Sequence, residues 1–513
     1  MTELEKQLTA RVQALEEQNK LLQQKLDALI RLHFGAKSEK LDPDQLELLL
    51  NGEADAKKHE ESSGDAVVPV DEDSSNPKRK QLRRERKPRL PEDLPVEETT
   101  LVPEAVKACP QAWKQIGEEV SEQLDFEPGR FLKKRLIRPK FVKRNWQEQD
   151  QPPVIAALPP RLIEGGLPAS GLLTQVVIAK YCDHLPLYRQ EQIYRQRHHV
   201  ELPRQTLARW IEQIAFQLQP VARAIHQELL ESPYLQIDET PLKYLDPGHG
   251  QTRQGYLWVV KVPGEQGGVS YHWHKGRSHQ CLKEMVPNNY QGTLQSDGYQ
   301  GYQAFIKQHC APVKSAACWA HVRRKFHEAL KGGDHPGRSS WILRQIQNLY
   351  RIERELRESR AGPKIRQITR QRQSRPIIKR LHQTLIHLQA NRQHLPKSLL
   401  GQAIAYTLGQ WPGLTVYLEN GLVEIDNNLV ENAVRPTAIG KKNFLFIGAE
   451  EAGWRSAVLY TIIENCRHHG LEPYRYLKDL IERVPVSKNK DVPELTPRAQ
   501  VNQANRKQLE QVS

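Results

Sequence analysis

Two aspartates in this 513-residue chain stand where a carboxylate can do chemistry. Asp238 lies within YLQIDETPLKY, among apolar and β-prone residues. A carboxylate in mid-strand is costly to bury unless it is paired or binds a metal. Asp297 ends the run LQSDGY and is followed by Gly298, so the chain can turn away at a strand end and leave the carboxylate open. Two such aspartates on neighbouring strands can share two divalent ions about 3.5–4 Å apart. One ion would activate an attacking water or 3′-hydroxyl, and the other would stabilise the leaving oxygen. Oxygen ligands suit Mg2+, or Mn2+ in its place. Any one Asp alone has the ordinary roles of turn, cap or salt bridge open to it, so this chemistry needs a third ligand and a context.

The elements that must position these residues follow from the patterning. From 233, YLQIDETPLKYL, GYLWVVKV and GVSYHWHKG are β-rich runs separated by Gly/Pro turns. HQCLKEMVP reads as a helix, GTLQSDGYQGY as a strand and SAACWAHVRRKFHEAL as a further helix. Strands in series, then helix, strand and helix, predict a mixed α/β sheet. Residues 339–410 are helical in pattern, with Arg351, Arg354, Arg357 and Arg360 spaced as a basic stripe along one face. EPYRYLKDLIERV (472–484) reads as a terminal helix, and the polar tail from 486 is expected to be disordered.

Upstream, LPLYRQEQIYRQR (185–197) and RQTLARWIEQIAFQL (204–218) predict two helices across a short connector. This is the helix-turn-helix arrangement, whose second helix can lie in a major groove. Arg204, Gln205 and Arg209 would then face DNA while Leu207 and Trp210 pack inward. Met1, Leu8, Leu15, Leu22 and Leu29 repeat every seven residues, with Val12, Asn19 and Leu26 at the other core position. This predicts a parallel two-stranded coil over 1–34 that pairs protomers. Residues 42–76 are acidic and Ser-rich, and 77–89 (PKRKQLRRERKPR) are strongly basic. Residues 35–89 are therefore expected to be a flexible linker with a basic arm for DNA.

The composition agrees with this organisation. Lys and Arg total 75 against 61 Asp and Glu, a formal charge of +14, which favours a polyanionic partner such as nucleic acid. Mean hydropathy is −0.68, and no apolar run nears the roughly 20 residues that span a bilayer, so no membrane association is expected. The N-terminus has no apolar signal core. The six cysteines show no disulfide-framework spacing, which fits a reducing cytoplasm. Cys318 and His321 form a CxxH with Cys310 and His327 nearby. A buried cysteine and a DNA-facing histidine explain these residues as well as zinc does, so no zinc site is assigned.

Several long motifs in order, IDETPLKY, LQSDGYQGY and EIDNNLVENAVRPTAIGKKNFLFIGAEEAG, with CWAHVRRKF, KYCDHLPLYRQ and FGAKSEKL, resemble the C-type transposases of the insertion sequence 66 family, of the DDE class. The resemblance runs from about residue 1 to 485. It implies an RNase H-like catalytic core interrupted by a helical insertion, with Asp238, Asp297 and Glu431 as catalytic residues and ligands of two Mg2+ or Mn2+ ions. The separations of 59 and 134 residues leave room for an insertion at 335–420. The family pattern places the third carboxylate at Glu431 within EIDNNLVEN, with Glu424 and Asp426 as competing candidates; Asp426 or Asn427 could cap the helix that bears Glu431, which would then face the sheet. Arg435, Lys441, Lys442 and Asn443, and His321, Arg323 and Arg324, are candidate phosphate contacts, with a surface salt-bridge role open for each.

The chain also departs from the family. Members usually carry paired CxxC motifs before the helix-turn-helix. Here the first position reads ACPQAW, with Cys109 alone, and the second reads FVKRNWQ, so four-coordinate zinc cannot form. The expected α/β multidomain architecture is therefore a coiled coil (1–34), the linker (35–89), a degenerate zinc-finger-like module (90–165) and the helix-turn-helix region (166–225). A catalytic core (230–334 and 421–450) split by the insertion (335–420), a helical region (451–485) and the tail (486–513) follow. The expected function is cleavage and joining of DNA at terminal inverted repeats and target DNA, with small accessory proteins of the same element as further partners. The alternative is a decayed or repurposed transposase that only binds DNA.

Overall fold

The computed structural model describes residues 129–131, 134, 140–141, 154–155, 159–164, 166–246, 251–308, 312–332, 336–391 and 395–512. The expected coiled coil and the linker with its basic arm lie outside the described residues, as does most of the 90–165 module. A two-residue antiparallel ladder within that module joins Lys140–Phe141 to Val154–Ile155.

The centre of the molecule is a five-stranded sheet. Its strands are β1 (Tyr234–Leu245), β2 (Thr252–Val262), β3 (Gly268–His274), β4 (Gly292–Gln295) and β5 (Val313–Ala316), in the order β3-β2-β1-β4-β5. β1, β2 and β3 form an antiparallel meander, which short connections allow, whereas β4 and β5 are parallel to β1. The chain reaches these parallel strands through the helices α4 (His279–Met285) and α5 (Gln300–Gln308).

The position of β1 in the middle of the sheet explains its sequence. Tyr234 to Ile237 are all buried, as expected for a strand covered on both faces. Leu235 and Ile237 pack with Trp258, Val260, Leu282, Met285, Leu294 and Phe305 on the face that α4 and α5 cover. The opposite face carries Gln236, on which the start of α12 (Asn428–Phe444) is seated, and the edge strand β3 meets α3 (Arg204–Leu230) and α13 (Ala452–His468).

Two further helices precede α3: α1 (Ser170–Tyr181) and α2 (Leu187–His198). α2 ends at His199 in the left-handed conformation (φ 53°, ψ 32°). Val200 N–H reaches back to the Tyr194 carbonyl at 3.1 Å, a paired C-terminal closure that turns the chain towards α3. α3 runs to Leu230, well beyond the expected 218, because Ile214, Leu218, Val221, Ile225 and Leu229 continue its buried face.

Between β5 and α12 the chain is helical. α6 (Trp319–Lys331), α7 (Pro336–Glu358), α8 (Pro363–Thr369), a π-turn at Arg370–Ser374, α9 (Arg375–Ala390), α10 (Leu399–Gly409) and α11 (Trp411–Glu419) follow in series. Arg370 and Glu353 are fully buried and doubly bonded to each other at 2.7 Å. Arg370 also donates to the carbonyls of Tyr417, Asn420 and Val423 at 2.9–3.1 Å. Such donors satisfy what would otherwise be a costly buried charge. Arg351, Arg354, Arg357 and Arg360 are exposed.

The expectation of a disordered tail is corrected. After α14 (Pro473–Arg483) the chain forms a 3-10 segment (Asn489–Leu495) and the helix α15 (Pro497–Val512). Leu495 and Thr496 are buried, and the Thr496 hydroxyl donates to Glu228 of α3 at 2.7 Å. Among the described tail residues, Leu495, Thr496 and Pro497 are buried and their neighbours are half-buried or exposed, so a polar composition is compatible with docking. No described helix is long and apolar enough to cross a membrane.

Candidate active site

A repeated pattern two residues upstream of each aspartate builds the site. Asp238 follows Gln236, and Asp297 follows Gln295. In the parallel pairing of β1 with β4, Gln236 stands opposite Gln295. Side chains alternate along a strand with period two, so Gln236, Asp238 and Gln295 share one face of neighbouring strands, and Asp297, just beyond β4, is near enough for its charge to act on Asp238. Asp297 lies just past the end of β4, and Gly298 turns the chain there with φ +84°. Asp297 Oδ1 accepts the Tyr299 amide at 2.9 Å, and its backbone carbonyl accepts the Tyr406 hydroxyl at 2.9 Å.

The two glutamines and Tyr234 form a buried polar network that seats the segment bearing the third carboxylate. Gln236 Nε2 donates to the Asp426 carbonyl at 2.9 Å, and Gln236 Oε1 accepts the Val430 amide at 3.2 Å. Gln295 Nε2 donates to the Glu424 carbonyl at 2.9 Å. The Glu424 amide donates to the Tyr234 hydroxyl at 3.1 Å, and that hydroxyl donates to Gln295 Oε1. These bonds dock residues 424–430 onto β1 and β4 and set the start of α12, whose first turn carries Glu431 near enough for its charge to act on Asp238.

The two rival acids have other partners. Glu424 pairs with Arg366 at 2.9 Å. Asp426 is buried and accepts the Tyr350 hydroxyl at 2.8 Å and both the amide and side chain of Asn428. Asp426 therefore holds the turn before α12, whereas Asn427 stands at the cap position without a capping side-chain bond.

Burial is the first cause of a raised carboxyl at both Asp238 and Asp426, and the charges beside the two differ. Burial pushes the Asp238 carboxyl up to about 8, and the charges of Glu239, Glu431 and Asp297 add to the rise. These are acids close enough to resist shared ionisation. Among the described residues, no three His, Cys, Asp or Glu side chains are gathered closely enough to hold one metal ion. The donor set nevertheless suits hard divalent cations, since it is all carboxylate and since a cation there would offset both the burial and the neighbouring charges that raise Asp238.

Sequence reasoning missed Glu239 and Arg277. Glu239 is buried, accepts the Tyr302 hydroxyl and is bonded to Arg277. Arg277 also lies 3.7 Å from Asp297 and stacks over the Tyr299 ring at 4.0 Å. Two adjacent acids in the run DET were the available signal. His321 Nε2 stands 3.9 Å from Glu431.

The other sequence candidates are dispersed. Arg323 lies over the Tyr350 ring, and Arg324 is exposed. Arg435, Lys441, Lys442 and Asn443 are exposed on α12. Lys441 donates to the Pro241 carbonyl at 3.1 Å and Asn443 to that of His184 at 3.0 Å, so these two also fasten α12 to its neighbours. Arg204, Gln205 and Arg209 are exposed at the start of α3, with Leu207 and Trp210 buried.

Comparison with known proteins adds to this geometry. The family pattern described as "Transposase IS66 family" matches residues 165–455. The "IS66 C-terminal element" matches 461–497, and "Transposase C of IS166 homeodomain" matches 14–99. Three similar proteins come from Sinorhizobium fredii (strain NBRC 101917 / NGR234). Uncharacterized protein y4jD is 33% identical over 479 residues, 89% of each chain. Uncharacterized protein y4qI is 34% identical over 400 residues, 75% of this chain and 72% of that one. Uncharacterized protein y4hP is 27% identical over 489 residues, 90% and 85% of the two chains.

Proposed function

Since the chain belongs to the insertion sequence 66 transposase family, we propose that it cuts and joins DNA at the ends of an insertion sequence, with Asp238, Asp297 and Glu431 as its catalytic residues. The observation that carries this reading is the seating of residues 424–430 on Gln236 and Gln295, which brings the helix start that bears Glu431 beside the strands that lead to Asp238 and Asp297. The sheet order, three antiparallel strands followed by two parallel ones, supports an RNase H-like core.

The three carboxylates would hold two Mg2+ or Mn2+ ions, which when bound activate the nucleophile and stabilise the leaving oxygen. In the first step a water oxygen bonds to the scissile phosphorus, and the P–O bond breaks to release a 3′-hydroxyl. In the second, that 3′-oxygen bonds to a target phosphorus and expels the target's own 3′-oxygen. Both are in-line displacements, so no covalent link to the protein forms. Gln236 and Gln295 orient the carboxylates by fixing the backbone that carries them. His321 steadies Glu431, and Arg435, one turn along α12, meets the flanking phosphates. The start of α3 and the basic arm bind the terminal repeats, and the N-terminal heptads pair two protomers. Accessory proteins of the same element would complete the assembly.

The test is cleavage and joining of a labelled terminal-repeat duplex with Mg2+. Asp238→Asn, Asp297→Asn and Glu431→Gln should each abolish both steps and leave end binding intact. Full activity in any of the three would remove that residue from the set. Binding by the wild type without cleavage under any divalent ion would favour the DNA-binding alternative.

A further inference from the structure

Arg277 stands in the connection between β3 and α4 and is held by the neighbours of both strand aspartates. Glu239 follows Asp238 on β1 and, by strand alternation, shares the face of Leu235 and Ile237 that α5 covers. Its carboxylate is buried, and it takes the Tyr302 hydroxyl on one oxygen and the Arg277 Nε–H on the other. Tyr299 lies against the guanidinium at 4.0 Å, and its hydroxyl donates to the Arg277 carbonyl at 3.2 Å. The Tyr299 amide in turn donates to Asp297 Oδ1. Side chain and backbone of Arg277 are thus both fastened, which leaves little entropy to lose when the guanidinium meets a further acceptor.

Fastening does not use up the guanidinium. Arginine carries several N–H donors in a planar fork, and the bond to Glu239 is made from Nε. Nη2 stands 3.7 Å from Asp297 Oδ2, near enough for attraction but beyond a hydrogen bond. The side chain remains 37% exposed. An arginine whose whole task is to neutralise a buried glutamate has no need of this exposure: in the Arg370–Glu353 pair both side chains are fully buried. At Arg277 part of the fork stays open to solvent beside a carboxylate of the site, and an anion with two free oxygens fits two such N–H groups.

We propose that Arg277 is a further catalytic residue, which binds the DNA phosphate under attack by donating from its terminal nitrogens to the non-bridging oxygens. The guanidinium stays protonated throughout, and no bond to it forms or breaks. Its charge draws a phosphate towards carboxylates that would otherwise repel it, and offsets the charge that builds on the oxygens during displacement. Glu239 and Tyr299 are its positioning residues. The inference deepens the DNA-transposase reading and rests on it.

The experiment is a double-mutant cycle on binding, with the full chain, Mg2+ and a terminal-repeat duplex. The wild type first maps the linkage that is cut. That one phosphate is then replaced by a neutral methylphosphonate. Affinities for the two duplexes are compared in a Glu431→Gln background, which keeps the duplex from being consumed, with and without Arg277→Gln. The penalty for the methylphosphonate should shrink by about 10- to 150-fold when Arg277→Gln is added, the worth of a hydrogen bond to a charged group. Arg277→Lys keeps a charge beside Glu239 and loses the fork, so its penalty should fall between the two. A purely structural role would weaken both duplexes alike. An unchanged penalty in Arg277→Gln would therefore overturn the contact and leave the transposase reading standing. Where Arg277→Gln does not fold, Arg277→Lys decides alone, a smaller penalty being expected and an equal one refuting the contact. No cut by the wild type at any linkage would overturn both readings.

Discussion

Replacing Gln236 by leucine should unseat the start of α12 without dismantling the sheet. Gln236 is fully buried and serves the Val430 amide and the Asp426 carbonyl across the gap between β1 and the 424–430 segment. Leucine has nearly the same volume and neither donor nor acceptor. Two buried backbone groups lose their partners, at about 1–3 kcal/mol each, or about 2–6 kcal/mol together. The more apolar side chain offsets about 1 kcal/mol. The net loss of about 1–5 kcal/mol falls on the docking of residues 424–431. Native-state hydrogen exchange reads this locally. Amide protection in a peptide over 424–444 should fall by about 5-fold or more, while a peptide over 256–262 in β2 keeps its protection. Gln236→Glu keeps the acceptor for Val430 and should fall between the two. Unchanged exchange over 424–444 in the leucine variant would refute the claim that this network holds the segment bearing Glu431.

Three further outcomes follow from the same structure. Burial, with Glu239, Glu431 and Asp297, pushes Asp238 up to about 8, against about 3.9 in an unfolded chain. The folded form keeps this proton longer, so the associated stability is full below about pH 3.9 and is lost as pH rises to about 8. The metal-free melting temperature should therefore drop from pH 6 to 9 in the wild type and less in Asp238→Asn, and parallel curves would count against the acid cluster. His272 is held well below its ordinary value by burial and then by His226 and His274. The unfolded chain takes up protons that the fold refuses, so this stability is full above about pH 6.5 and falls as the solution is acidified. His272→Gln should melt with a shallower acid decline, and superimposable profiles would contradict the reading. Arg370→Met would leave buried Glu353 with only its longer contact to Arg366 at 3.3 Å and would strip the Tyr417, Asn420 and Val423 carbonyls of their donor, a loss of about 3–5 kcal/mol. Calorimetry should register it as a marked fall in melting temperature, and a variant as stable as the wild type would show that the buried pair contributes nothing.

The sheet and the helices around it were legible because each follows one period. YLQIDETPLKYL and GVSYHWH alternate or run apolar between turn residues, and the helices at 319–331 and 473–483 carry apolar faces at helical spacing. Less was legible where a few contacts decide. The tail from 486 reads as solvated, yet Leu495 and Thr496 dock it, and composition averaged over 28 residues hides two. The preference for Glu431 over its rivals rested on a family motif, since three acids within eight residues look alike in a list. Their partners distinguish them, and partners such as Arg366 and Tyr350 are distant in sequence. The repeated Gln-x-Asp was present in both motifs as QID and QSD. Its meaning depends on strand register, which only the fold supplies.

These partners also give the helical insertion a role beyond filling the gap between the second and third carboxylates. Tyr406 of α10 holds the Asp297 carbonyl, Tyr350 of α7 holds Asp426, and Arg366 and Arg370 hold Glu424 and the Val423 carbonyl. The insertion therefore grips the backbone beside Asp297 and the segment that leads into Glu431. Asp238, on the central strand, is fixed by the sheet. A shift of the insertion would move two of the three carboxylates relative to the third, since packed helices move as units rather than deform. The exposed arginines of α7 lie on the same body as Tyr350. Under the DNA-transposase reading, DNA engaged by that basic face would pull on a body bonded beside Asp297 and the 424–430 segment, so contact there would alter the spacing of the acids.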